Sequence, residues 1–268
     1  SNYIGYILLF VIAFMILRDN KWVWAALIFL LSGILGLIVF NIPNLKNPLF
    51  PMLSGLFGIA TLLISLNETE TIPPHKEEKE IKLSKKLLTK SLFSGQFSGF
   101  LTAILPGVGS ATAAVLSLQI TKNLGDKGFM ILTGSINTVN FILSLVTFQI
   151  LNKARNGSII AVQKLIETVS ASHVILFLSA TLIAGGASVW LSLTIAKNFS
   201  RLVAKVSYKK LILTVIALIL ALTGILTGPI GFLILLVSTA IGLIPASVKT
   251  ARVAGMGCIM IPVLFYFL

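Results

Sequence analysis

Apolar residues run through this chain in long blocks, separated by short polar stretches that hold nearly all of its charge. The blocks fall near 3–17, 22–40, 49–66, 128–151, 172–196, 211–226, 229–245 and 253–268. Each is long enough to predict a helix crossing, or nearly crossing, a hydrocarbon core that takes roughly 20 residues to span. A ninth block, 91–121, differs. It carries no charge over 31 residues, yet Pro106-Gly107-Val108-Gly109-Ser110 divides it into two halves of about 15 residues, each short of a full crossing. Backbone that breaks its helix at membrane depth persists only where protein buries it or where it lines a polar cavity. The break therefore marks a candidate binding site.

The polar stretches decide how 91–121 is placed. If it crosses once, the two most basic loops, 67–90 and 197–210, fall on opposite faces. If it enters and returns on one side, 17 of the 21 Lys and Arg residues share a face and 4 lie on the other. Basic residues concentrate on the cytoplasmic side, so the second arrangement is expected. The expected fold is an all-α polytopic membrane protein of about eight transmembrane helices plus one re-entrant broken-helix hairpin over 91–121. Three parts are expected: N-terminal transmembrane helices over 1–66, a hydrophilic cytoplasmic loop over 67–90, and a transport-type membrane domain over 91–268.

Composition agrees: 56% of residues are hydrophobic and 11% charged, against roughly 25% charged in soluble domains. The net charge of +13 is accounted for by cytoplasmic loops and requires no nucleic-acid partner. Cys258 is the single cysteine, so no intramolecular disulfide or cysteine-based metal site can form. His75 and His173 are isolated, and no acid lies inside an expected span. No catalytic residues emerge, the chain is not expected to be an enzyme, and a proton relay of the Asp/Glu type is disfavoured. Na⁺ as a coupling ion, or no coupling, fits better, with no other cofactor.

In the loops, Glu78 and Lys82 stand at i,i+4 within 67–90, and Lys164 and Glu167 are three apart within the weakly amphipathic segment 158–171, expected at the outer interface. Thr227-Gly228-Pro229 reads as a tight turn between two helices.

Two groups of residues could bind a ligand. At the break, Pro106 contributes no N–H, Gly107 and Gly109 permit close approach, and Ser110-Ala111-Thr112 open a second half-helix. Its unpaired N–H groups and positive dipole end favour an anion, with the Ser110 and Thr112 hydroxyls as further donors. Asn137 and Asn140, at i,i+3 in the following span, share a helix face and could hold a substrate, coordinate Na⁺ or satisfy the hairpin tip. Gly185-Gly186-Ala187-Ser188 is expected to allow close helix packing.

PGVGSATAAVLSLQ at 106–119 with TGSINTVNFILSLVTFQILNKARNG at 133–157 resembles the TctA family, the large membrane subunits of tripartite tricarboxylate transporters, and most closely their archaeal branch. NPLFPMLSGLFGIATL at 47–62 and the closing IGLIPASVKTARVAGMGCIMIPVLFYFL fit the same pattern. The resemblance implies uptake of an organic anion driven by an ion gradient. The partners it implies are a small membrane subunit and a solute-binding protein. It points to Pro106, Gly107, Gly109, Ser110, Asn137 and Asn140. Family members carry a further Gly- and Pro-rich motif in their first half that has no convincing copy here, so the chain is expected to be the C-terminal part of a longer protein, its N-terminal half missing. The expected function is a permease for a small carboxylate in the cell membrane. Alternatives are a flippase for a polyprenyl-phosphate lipid and a non-transporting scaffold subunit.

Overall fold

The computed structural model describes residues 2–67, 83–105, 108–121, 124–151, 156–166, 169–203 and 206–267, and among these it is all-α, without strands. In chain order the helices are α1 (Asn2–Leu17), α2 (Trp22–Phe40), α3 (Leu49–Leu53), a π-helical stretch (Ser54–Ile59) and α4 (Ala60–Asn67). Then follow α5 (Lys85–Ile104), α6 (Ser110–Thr121), α7 (Gly125–Leu151), α8 (Gly157–Leu165) and α9 (Ala171–Val203). The chain closes with α10 (Tyr208–Thr227), α11 (Pro229–Val248), a 3₁₀ turn (Arg252–Met256) and α12 (Gly257–Phe267). Among the described residues six helical stretches are long and apolar enough to cross a membrane: 22–40, 49–66, 125–150, 171–201, 208–227 and 229–248. Gly5–Leu17, Ser110–Thr121 and Arg252–Phe267 are apolar but shorter.

The helices group into two compact units, Ser1–His75 with Leu202–Leu268, and Lys76–Arg201. In the first, α2 and α11 meet their neighbours through small residues. A Cβ on Gly36 would stand 2.0 Å from the Cys258 carbonyl oxygen, and one on Gly257 2.1 Å from that of Phe29. The backbones of α2 and α12 thus touch, as small residues permit where lipid supplies no hydrophobic drive. Ser238 and Gly242 of α11 fit the π-helical stretch in the same way, against Gly55 and Leu56. At one end, Asp19 accepts from the N–H groups of Lys21 (2.9 Å) and Ala251 (3.1 Å), and the Lys21 ammonium donates to the Val248 carbonyl (2.9 Å). α11 ends there on Lys249 in the left-handed region, φ 56°. The turn expected at 227–229 is present, with Gly228 at φ +79° and Pro229 opening α11.

In the second unit, α5 and α7 run parallel and α6 lies antiparallel to α5. The α5–α7 seam is the stripe Ser91, Gly95, Gly99, Ala103, four residues apart and buried throughout. Cβ atoms on Gly95 and Gly99 would stand 2.6 Å from Ser135 Cβ and 2.8 Å from Val139 Cβ. The arms α5 and α6 are joined by a Ser98–Ser117 hydroxyl contact and by Lys90, whose ammonium donates to the Thr121 carbonyl. A smaller apolar cluster of Leu145, Phe148 and Ile159 ties the end of α7 to α8 and the start of α9.

Several boundaries depart from the sequence expectation. α5 starts at Lys85, inside the stretch 67–90 read as a hydrophilic loop, because Ser84 caps it by accepting from the Leu87 N–H (3.2 Å). The arms are therefore unequal, 20 and 12 residues. The helix expected over 172–196 continues to Val203, through a segment without Gly or Pro to stop it. Within it Gly185 and Gly186 have no atom within 4 Å of an added Cβ, so the close packing expected there does not occur among the described residues. The Glu78/Lys82 spacing and Glu167 of the Lys164/Glu167 spacing lie outside the described residues.

Candidate functional site

The break between α5 and α6 starts at Leu105, which is extended (φ −85°, ψ 119°) and buried. Pro106 and Gly107 lie outside the described residues. Gly109 stands at the N-cap of α6: its carbonyl accepts from the Ala113 N–H at 3.0 Å. Ser110, Ala111 and Thr112 are then the first three helical residues, whose N–H groups have no acceptor within the helix. Ser110 is half-buried. Thr112 is fully buried, and its hydroxyl has no hydrogen-bond partner among the described residues. Leaving such a group unsatisfied costs about 1–3 kcal/mol.

The register of the α5–α7 seam places the asparagines. An added Cβ on Gly95 would face Leu132 and Ser135, and one on Gly99 would face Ile136 and Val139. Five residues further, the end of α5 at Ile104 falls level with 141–144 of α7. Asn140 and Ser144 therefore stand at the height of the break, while Asn137 lies a turn below it. Asn140 is half-buried, and its side-chain oxygen lies 3.0 Å from the Ser144 hydroxyl, whose shorter contact is to the Asn140 backbone carbonyl. Asn137 is exposed, and its amide has no partner among the described residues.

Sequence reasoning overlooked a group of hydroxyls inside this unit. Ser91, Ser98, Thr102, Ser117 and Ser144 are all buried. Thr102 donates to the Gly99 carbonyl (2.8 Å) and Ser144 to that of Asn140 (2.6 Å). Ser91 has no partner. The available signal was spacing: Ser91, Gly95, Gly99 and Ala103 recur every fourth residue, the pattern of a close helix–helix seam. Among the described residues no group of three or more His, Cys, Asp or Glu side chains could hold a metal.

Described residues that are helical throughout, with several helices long and apolar enough to cross a membrane, define a multi-pass membrane protein. The chain belongs to the tripartite tricarboxylate transporter TctA family, which it matches over residues 1–257. It is similar to an uncharacterized protein, MJ1079, of Methanocaldococcus jannaschii, with 26% identity over 253 residues; the match covers 92% of this chain and 62% of that protein. The chain thus spans about three fifths of that relative's length. No solved structure matches it.

Proposed function

We propose that this chain is the membrane permease component of a carboxylate uptake system in the cell membrane, and that it carries a small organic anion coupled to an ion gradient. The observation that carries the reading is Thr112: a fully buried hydroxyl without a partner among the described residues, in the first turn of a helix that starts at a break. α6 has 12 residues, about 18 Å of helix, too short to cross alone. Its open end meets that of α5 through Lys90 and Thr121. Both arms then enter from the cytoplasmic face, the arrangement that gathers 17 of the 21 basic residues on that face, with loops 67–90 and 197–210 among them.

In this reading a carboxylate sits against the N–H groups of Ser110, Ala111 and Thr112, where the dipole favours negative charge. Gly109 lets it approach, and the Ser110 and Thr112 hydroxyls donate to it; Pro106 and Gly107, outside the described residues, are proposed for the site on the sequence resemblance alone. Asn140 completes the site at the same height, with Asn137 at its rim. Na⁺ is the proposed coupling ion, since amide and hydroxyl oxygens are the ligands at hand. The proposed partners are the two that the sequence resemblance implies, a small membrane subunit and a solute-binding protein, in keeping with a family described as tripartite.

The test is uptake of labelled citrate and other carboxylates, with and without Na⁺, by cells expressing the chain with its partner subunits. Thr112→Val is expected to lower uptake at least about ten-fold, the scale of one lost hydrogen bond to a charged group, and Thr112→Ser to restore most of it. Transport unchanged in both Thr112→Val and Gly109→Leu, with normal protein levels, would sink the site assignment.

A further inference from the structure

α10 and α11 are joined by the Gly228 turn, and beside the π-helical stretch they enclose a groove of about 500 Å³. It lies wholly within the first unit, and its walls include Ile59, Ile216, Leu220, Phe232, Leu236 and Leu243. The one polar side chain in the lining, Thr239, has its hydroxyl bonded to the Leu235 carbonyl at 2.6 Å. The groove therefore offers a ligand only hydrocarbon, in a helix pair at membrane depth.

One end of the groove is charged. Lys209 and Lys210 stand seven and six residues before Ile216 on α10, about 9–10 Å along the helix axis. The antiparallel α10–α11 turn places them at the end where α11 runs out past Leu243 to Lys249. Both lysines are exposed, and neither ammonium has a partner among the described residues. Asp19, the acid beside the end of α11, is occupied by the Lys21 and Ala251 N–H groups. Tyr208 precedes the lysines in the position of an interfacial anchor. An apolar trough about three turns long, from Phe232 to Leu243 on α11, ending at two unpaired cations, complements an amphiphile with one anionic head.

We propose that this groove is a binding site for a single anionic phosphoglycerolipid, with an acyl chain between α10 and α11 and the phosphate head at Lys209 and Lys210. The chain fixes the position and the lysines supply the selectivity, because a groove wall and surrounding lipid are equally apolar whereas each basic residue near the surface attracts an anionic head. α9, apolar and exposed along most of its length, is the reference surface.

The test places the full chain in nanodiscs of phosphatidylcholine doped with phosphatidylglycerol whose acyl chain carries a photoreactive diazirine, and maps the adducts by mass spectrometry. A matched phosphatidylcholine probe serves as reference. The expected result is phosphatidylglycerol labelling at the groove residues of α10 and α11 at least about five-fold above the phosphatidylcholine probe. No such excess is expected on α9. K209Q/K210Q, at exposed positions, should remove the excess, and A240F should lower groove labelling with both lysines intact. Equal labelling by the two probes, adducts spread evenly over α9 and α10, or an excess surviving K209Q/K210Q would each overturn the proposal. Displacement of the label by substoichiometric polyprenyl phosphate would overturn the named occupant.

Discussion

Replacing Gly95 by Ala is the sharpest test of the α5–α7 seam, because the same substitution at Gly134 should act in the opposite direction. A Cβ on Gly95 would stand 2.6 Å from Ser135 Cβ and 2.8 Å from the Leu132 carbonyl oxygen, against an ordinary contact of 3.4–4 Å. The obstructing atoms are backbone and a first side-chain carbon, so no rotamer change relieves them, and α5 must move away from α7. Overpacking of this kind costs about 1–3 kcal/mol, and alanine's helix preference returns at most about 1 kcal/mol. Gly134 sits in α7 with no atom within 4 Å of an added Cβ, so Gly134→Ala keeps only the gain. The two variants should differ by about 2 kcal/mol, or several degrees in Tm for a chain of this size. Helix content followed by circular dichroism during heating, or during titration with a denaturing detergent, reads the difference. If Gly95→Ala melts at or above the parent, or both variants shift together, the backbone-to-backbone seam is wrong.

Gly228 has φ +79° and ψ −164°, a region open essentially to glycine alone, so Gly228→Ala should lose about 1–3 kcal/mol. The readout can be reaction of Cys258, the buried sole cysteine in the same unit, with a thiol dye on heating. Asp19→Ala removes the acceptor of two N–H groups that holds the end of α11 beside the α1–α2 turn. It should cost about 1.5–3 kcal/mol, visible as Cys258 reacting at lower temperature, and no shift would remove the clasp from the account. S98C/S117C in a Cys258→Ala background should cross-link on mild oxidation, because the two hydroxyls touch. S91C/S117C, with one position displaced by almost two turns, should not; the reverse pattern would break the antiparallel pairing of α5 and α6.

The order of helices was legible because hydrocarbon imposes a length on every apolar block, and the expected blocks became α1, α2, α7, α10 and α11 with shifts of a few residues. What failed was the reading of ends. Apolarity marks where lipid begins, whereas Ser84 and the leucines after it mark where hydrogen bonding begins, so α5 starts six residues ahead of its apolar run. Asn137 and Asn140 show a second limit. Their spacing correctly places them on neighbouring parts of one helix surface, but only the seam register reveals that Asn140 reaches the height of the break while Asn137 stops a turn short. The glycines make the point from the other side. Gly95 and Gly99 alternate with buried Ser91 and Ala103 at a strict four-residue period and meet α7, while Gly185 and Gly186 are adjacent in sequence and meet nothing described. A period of four keeps small residues on one face long enough for two backbones to approach over several turns, and an adjacent pair turns 100° from one residue to the next. Contact between helices is thus encoded in the interval between small residues, not in their number, and by that criterion the α5–α7 seam was already written into the chain.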